Sequence, residues 1–431
     1  MRPVSRRTFL EQGSAIAVAG HLLGARPGWA GANDRIRVAV IGINGRGQDH
    51  IEGFHSLPGV EVVTLCDIDE QVLAERSRTF EERYGRPVRK EIDLRRVLDD
   101  RAVDAVSIAT PNHWHSLAAI WACQAGKDVY VEKPGSHNLF EGRRMVEAAR
   151  KYGRIVQHGV QLRSSPAVRE AVALLRRGVI GDVYMARGLC FRWRGSIGRK
   201  PAEPVPPHIH YDLWLGPAQE RPFSRNLVHY NWHWHWDFGN GDLGNQGVHQ
   251  TDMCLWGLGI DTLPRQIRAT GGKFLWDDDK ETPELLSCLY TYPDQRKMIQ
   301  FEVRPWCTND EAGAGVGNIF YGRDGFLVID GYSRYATFLG EKKEPGPRGE
   351  AEGDHFANFI EAVRARDASL VNGPVETAHL ASALAHLGNI SYRLGRKLEF
   401  DPEAERFVAD TEADAMLSRD YRPPYVVPDR V

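Results

Sequence analysis

The densest run of chemically competent side chains lies between His229 and Asp252. From Trp232 the segment Trp232-His233-Trp234-His235-Trp236-Asp237 alternates, so an extended backbone would put Trp232, Trp234 and Trp236 on one face and His233, His235 and Asp237 on the other. Exposed indoles stack on sugar rings and the opposite face could hydrogen-bond hydroxyls, which makes Trp232, His233 and His235 candidate substrate contacts. The competing reading is a core strand whose histidines are satisfied by backbone groups. The His-x-His step, with His208 and His210 also available, has no carboxylate–histidine spacing beside it, and no metal is expected. Further on, a helix expected from Gly247 places His249, Asp252, Met253 and Trp256 on one face. The bland reading of that face is a packed helix with a satisfied histidine. A second chemical group is Glu132-Lys133-Pro134, which closes the apolar run Asp128 to Val131. A lysine ending a buried strand is partly desolvated, which lowers its pKa toward use in proton transfer. Taken alone, Lys133 reads better as a surface lysine.

The elements that must position these groups follow from the patterning. Apolar runs at Ile36 to Ile41, Val60 to Cys66, Val103 to Ile108, Asp128 to Val131 and Ile155 to Gln157 alternate with helical stretches, the signature of βαβ units and a doubly wound parallel sheet. After the first run comes Gly42-Ile43-Asn44-Gly45-Arg46-Gly47, a G-x-G-x-x-G turn with Asn at the second glycine position. Asp67 ends the second run, where a carboxylate accepts hydrogen bonds from the adenosine ribose and repels a 2′-phosphate, favouring NAD over NADP. A glycine turn with a helix-capping Asp is the bland alternative. Thr110-Pro111-Asn112-His113-Trp114-His115 follows the third run, at the sheet edge where ligands bind in open α/β sheets. The expected cofactor contacts are therefore Gly42, Asn44, Gly45, Arg46, Gly47, Asp67, Thr110, Pro111, Asn112, His115, Glu132 and Lys133. Beyond about Arg177 longer strands dominate, at Val183 to Trp193, Gln266 to Gly271, Leu285 to Tyr292, Met298 to Val303 and Phe326 to Ile329, and read as a C-terminal α+β domain with a large, mostly antiparallel open sheet. A polar loop from Glu341 to Gly353 precedes helices at Phe356 to Arg366 and Thr377 to Leu394, and the tail from 401 is expected to be extended.

In this order and spacing, the turn at Gly42 to Gly47, the Thr110–His115 segment and Glu132-Lys133-Pro134 resemble the glucose–fructose oxidoreductase / inositol dehydrogenase (Gfo/Idh/MocA) family, from about Arg35 to the end of the chain. The resemblance implies a Rossmann domain over 35–158 and a substrate and oligomerisation domain over 159–400. It also implies a sugar or polyol oxidoreductase that assembles as a homo-oligomer. In that family the lysine of Glu-Lys-Pro sits between nicotinamide and the substrate hydroxyl, a role carried to Lys133. The family pattern has an Asp four residues before the His; here Asn245 stands there, and an amide can orient a hydroxyl but cannot take its proton. Acid–base duty then rests on Lys133 and His249, with Asp252 fixing the imidazole, while Asn245 and Asp252 are the expected substrate contacts. A redox-neutral glycosidase, lyase or epimerase cycle would use the same residues, and a non-catalytic carbohydrate-binding protein would use the same fold.

The chain has 431 residues, 42% of them hydrophobic, and a formal charge of −2. Residues 1–30 hold four arginines and one glutamate, so the remainder carries −5, with no basic run of the kind that neutralises a duplex backbone; nucleic acid is not an expected partner. Ser5-Arg6-Arg7-Thr8-Phe9-Leu10, a short apolar stretch and small residues near Ala30 read as a twin-arginine export signal over 1–32, with a destination outside the cytoplasm and no stable membrane span. Such signals address proteins that cross already folded, so the cofactor is expected to be tightly held and recycled internally. The six cysteines contain no C-x-x-C pair.

Overall fold

The computed structural model describes residues 35–306 and 308–431 of the chain; the expected leader and Cys307 lie outside the described residues. The first sheet has six parallel strands, β1 (Ile36–Ile41), β2 (Val60–Cys66), β3 (Arg89–Glu91), β4 (Ala105–Ile108), β5 (Asp128–Val131) and β6 (Val156–His158), in the order β3-β2-β1-β4-β5-β6. Its central strands are almost wholly buried, as a sheet covered by helices on both faces requires. The first and second strands bring Gly42 and Asp67 to the same edge, since Ile41 lies opposite both Cys66 and Ile108. Gly42 turns there with φ +81°, and a Cβ on it would lie 2.8 Å from the Ala109 backbone. Gly47 opens the next helix, Gly47–His55, so close to the strand that a Cβ would sit 1.8 Å from the Gly42 oxygen. Only glycine permits that approach. The helix after β2, Glu70–Tyr84, starts because the Asp69 carboxylate accepts from the Gln71 and Val72 amides, and it ends at Gly85 in the left-handed region.

The second sheet holds ten strands: β7 (Val183–Phe191), β8 (Gln266–Gly272), β9 (Leu285–Tyr292), β10 (Lys297–Arg304), β11 (Val316–Gly322), β12 (Gly325–Asp330), β13 (Arg334–Leu339), β14 (Glu344–Glu350), β15 (Leu398–Asp401) and β16 (Arg406–Phe407). Their order is β14-β13-β12-β11-β7-β10-β9-β8-β15-β16, with β7 and β10 parallel and the other pairs antiparallel. Alternate residues of β9 and β10, among them Leu286, Cys288, Tyr290, Ile299, Phe301 and Val303, are buried on one face. The helices Gly247–Leu258 and Val375–Leu394 cover that face.

Several expectations need correction. The polar stretch from Glu341 to Gly353 contains a strand, β14, because β13 offers it a ladder of partners although its own side chains bury little. The tail is structured: it supplies β16, a helix at Thr411–Asp414 and an aromatic anchor, Tyr425, which packs against Trp114. The five described cysteines are buried free thiols. Among the described residues no helix is long and apolar enough to cross a membrane.

Candidate active site

A cleft of about 330 Å³ opens along the C-terminal edge of the first sheet. Gly42, Asn44, Gly45, Arg46, Asp67, Thr110, Pro111, Asn112, His115, Glu132 and Lys133 all line it, together with Trp232, His233 and Asn245 from the second half of the chain. Gly47 does not; it serves the cleft by letting its helix approach the strand.

At the centre Lys133 leaves the end of β5 and its Nζ donates to the Asn245 carbonyl oxygen at 2.6 Å, with the Asn245 Oδ1 at 3.4 Å. Burial pulls its pKa below the ordinary lysine value, against the opposing charge of Glu132. Glu132 is buried behind it as a fixed anion. Its Oε1 accepts from Arg46 Nε at 3.0 Å and Gln161 Nε2 at 3.1 Å and contacts His50 Nε2 at 3.1 Å, while Oε2 takes the Lys133 amide at 3.1 Å. Burial alone would raise this carboxyl, but His50 and Arg46 outweigh it and hold Glu132 well below the usual carboxylate range. The His115 ring bridges the Pro134 and Thr110 carbonyl oxygens at 2.6 and 2.7 Å, fixing the loop that carries Lys133.

The Trp-His run is not extended. Residues Asn231–Trp234 form a 3₁₀ turn that packs Trp232 into a cluster with Ile209, Trp214 and Phe238 and buries Trp234 as well. Among the described residues no strand lies beside this stretch to pair with it, and burial of the Trp232 and Trp234 indoles decides its shape instead. Trp232 and His233 remain at the cleft, stacked at 3.6 Å between centroids, while Tyr230 oxygen accepts from His233 Nδ1 at 2.5 Å. Burial lowers the His233 pKa to about 3, so the ring is neutral and its Nε2 is an acceptor. His235 is not at the cleft: its ring contacts the Asn226 oxygen at 3.1 Å and Glu281 at 3.3 Å.

The helix from Gly247 forms as expected, but Asp252 does not hold the His249 ring, nor does it face a substrate. It is fully buried and accepts a two-pronged pair from Arg163 at 2.7 and 2.8 Å, because a guanidinium fork neutralises a buried carboxylate and a neutral imidazole does not. His249 stands outside the cleft lining, edge-on to the Tyr332 ring at 5.1 Å, and its Nδ1 has no partner among the described residues. Burial, then the nearby Lys133 charge, push its pKa well down.

Sequence reasoning missed the segment between His208 and His233. It docks on the loop after β2: the Glu70 amide donates to the His208 oxygen, the His210 amide to the Ile68 oxygen, and His229 Nε2 contacts Asp69 Oδ2 at 2.9 Å. Leu213, Trp214, His229 and Tyr230 of this segment wall the cleft opposite Asp67. The adjacency of His229 and Tyr230 to the Trp-His run was the available signal. Among the described residues no group of three or more His, Cys, Asp or Glu side chains could hold a metal ion.

Residues 36–160 match the NAD-binding Rossmann fold of the GFO_IDH_MocA oxidoreductase family, and residues 180–302 and 341–427 match that family's C-terminal alpha/beta domain. The chain belongs to the Gfo/Idh/MocA family. An inositol 2-dehydrogenase of Rubrobacter xylanophilus is 36% identical over 164 residues, 37% of this chain and 44% of that protein. A glycosyl hydrolase family 109 protein of Shewanella pealeana is 35% identical over 123 residues, 27% of each chain. In both cases the matched stretch spans less than half of the relative's length. The aldose-aldose oxidoreductase of Caulobacter crescentus shares the fold, with a TM-score of 0.64 at 19% identity over 85% of this chain and all of that one.

The cleft of this Gfo/Idh/MocA chain fits NAD. The amides of Asn44, Gly45 and Arg46 donate to no protein acceptor among the described residues, and a Cβ at Gly45 would meet nothing within 4 Å, which leaves room and donors for a pyrophosphate beside a helix N-terminus. The Thr110 hydroxyl lines the cleft, buried and without a partner among the described residues. Asp67 accepts from the Ile43 and Asp69 amides at 2.9 and 3.1 Å, and each oxygen keeps a lone pair for a ribose hydroxyl.

Proposed function

We propose that this protein transfers hydride between NAD and a carbinol of a sugar or polyol, and that the nucleotide stays bound from one turnover to the next. One observation carries the reading: Lys133, depressed in pKa and held at 2.6 Å by a backbone oxygen, stands in the cleft that fits NAD. NAD, when bound, supplies the hydride acceptor and donor. The chain supplies the rest. Lys133 Nζ takes the hydroxyl proton and later returns it, its Glu132 neighbour fixed by three side chains so that the local charge does not wander. The Asn245 amide orients the hydroxyl. His233 offers an acceptor nitrogen but is too weak a base to remove the proton, and Trp232, stacked beneath it, fixes the plane of its ring. His249, outside the cleft lining and held neutral by burial, takes no part in the proton transfer.

Retention of the nucleotide is supported by the 208–233 segment, which closes the cleft at its Asp67 end. It accords with the leader at Ser5 to Leu10, on which reading the folded enzyme leaves the cytoplasm carrying its cofactor. The test is to purify the protein, release bound nucleotide by denaturation, and follow the reduced-cofactor absorbance of the intact protein as sugars are added. A stoichiometric nucleotide, a band that appears with one sugar and its loss on adding a second are expected; nucleotide-free protein, or a band as strong in Lys133→Met as in the wild type, overturns the proposal.

Asn245 favours a second reading, in which transient oxidation serves cleavage or epimerisation and no net reduced cofactor accumulates. The glycosyl hydrolase relative accords with it. Release of a leaving group or an epimer from a sugar, without a standing reduced band, distinguishes it.

A further inference from the structure

Beyond the cleft, the ends of β7 and β10 carry indoles that the proposed chemistry does not use. Trp193 is 59% exposed and stacks on Trp306, with centroids 4.2 Å apart and planes 26° apart. Trp276 meets Trp306 edge-on at 5.0 Å. The cluster is fastened to the active site by Arg194. The Arg194 amide donates to the Pro305 oxygen at 2.8 Å and its carbonyl accepts from Trp276 Nε1 at 3.4 Å. Its guanidinium forks onto Asp242 at 2.8 and 3.1 Å and reaches the Tyr230 hydroxyl, a cleft group, at 3.4 Å. Asp242 belongs to the short helix Gly241–Asn245, whose last residue holds Lys133. A continuous, braced surface thus runs from the reactive lysine through Tyr230 and Arg194 to an open indole face.

We infer that Trp193 and Trp306 form a stacking platform for a second sugar ring, so that the substrate is a glycoside or oligosaccharide whose reacting residue enters the cleft while its neighbour lies on the indoles. This rests on the sugar reading of the cleft. A pyranose presents flat C–H faces and hydroxyl edges; the indoles match the first, and the Arg194–Tyr230–Asp242 cluster matches the second. A second protein copy fits less well, since two indole faces, at roughly 150–250 Å² each, fall far short of the roughly 800 Å² per partner of a stable interface.

The experiment is calorimetric titration of the NAD-loaded full chain with glucose, galactose and mannose and with disaccharides built from them, for the wild type, Trp193→Ala and, at the far end of β7, Tyr184→Ala. At least one disaccharide should bind more tightly than its parent monosaccharide. Trp193→Ala should cut that ratio by about tenfold, as loss of an aromatic stacking partner implies, while Tyr184→Ala leaves it in place. An unchanged ratio in Trp193→Ala overturns the inference. So does a wild type that binds monosaccharides at least as tightly as every disaccharide, or a wild-type dimer that Trp193→Ala dissociates without moving the ratio. The same titrations in a Lys133→Met background read binding without turnover, so a disaccharide that binds on the platform but never reduces the wild-type nucleotide would sink the hydride-transfer reading and leave this one standing.

Discussion

The Lys133–Asn245 contact gives a quantitative handle on the chemistry. Asn245→Asp changes one atom and places a carboxylate where the amide now stands, with its oxygen about 3.4 Å from the Lys133 ammonium. At an effective dielectric of 20, two unit charges at that separation attract by about 5 kcal/mol. Desolvating a carboxylate at this half-buried position and losing the amide dipole consume part of that, and an opposite charge at such range typically shifts a pKa by about 1–3 units. The Lys133 pKa, now lowered by burial, should therefore rise by about that amount. As a base, Lys133 acts only when deprotonated. The acid limb of kcat/KM against pH, measured with the fastest sugar of the panel, should move upward by about 1–3 units, with activity on that limb falling about tenfold per unit at fixed pH. A limb that stays in place or moves down would refute the assignment of Lys133 as the titrating group.

Lys133→Met should retain the nucleotide and lose about 10²–10⁴-fold in kcat, checked by single-turnover kinetics on the loaded protein. Arg163→Met should destabilise the fold by about 3–5 kcal/mol, because it strands the fully buried Asp252 carboxylate; Asp252→Leu in the same chain should recover most of the lost denaturation midpoint. Thr110→Val should leave stability of the empty protein nearly unchanged, since the hydroxyl has no protein partner, and weaken nucleotide binding several-fold by calorimetry. His113, His158 and His386 are buried with pKa values lowered to about 3, below the ordinary value near 6.5 of the unfolded chain. Below pH 6.5 the unfolded state gains protons that the folded state refuses. Stability should therefore fall by roughly 1.4 kcal/mol per pH unit for each histidine down to about pH 3, and a urea midpoint that is flat between pH 7 and 5 would contradict this.

The parallel sheet was legible because its strands are buried on both sides, so the apolar runs at Asp128–Val131 and Ile36–Ile41 stand out unbroken. The cofactor edge was legible for the same reason, since Gly42 and Asp67 directly follow such runs and Thr110 and Lys133 stand two residues beyond theirs. What escaped depends on partners far away in sequence. β14 reads Glu-Pro-Gly-Pro-Arg-Gly-Glu and becomes a strand only because β13 is beside it. Asp252 looked available to His249, three residues earlier, but Arg163, 89 residues away, claims it. The Trp-His alternation had the period of a strand and, among the described residues, no neighbour to make it one, so packing of Trp232 with Trp214 and Phe238 prevailed.

The hydrogen bonds that bind the 208–233 segment to Ile68, Asp69 and Glu70 have a consequence for time rather than affinity. On the proposed reading, nucleotide leaving the Asp67 end waits for that segment to lift, so exchange with labelled NAD should follow the clock of local opening. Its rate should climb steeply with temperature and denaturant while sugar affinity barely moves, and the cofactor would age with the polypeptide that carries it.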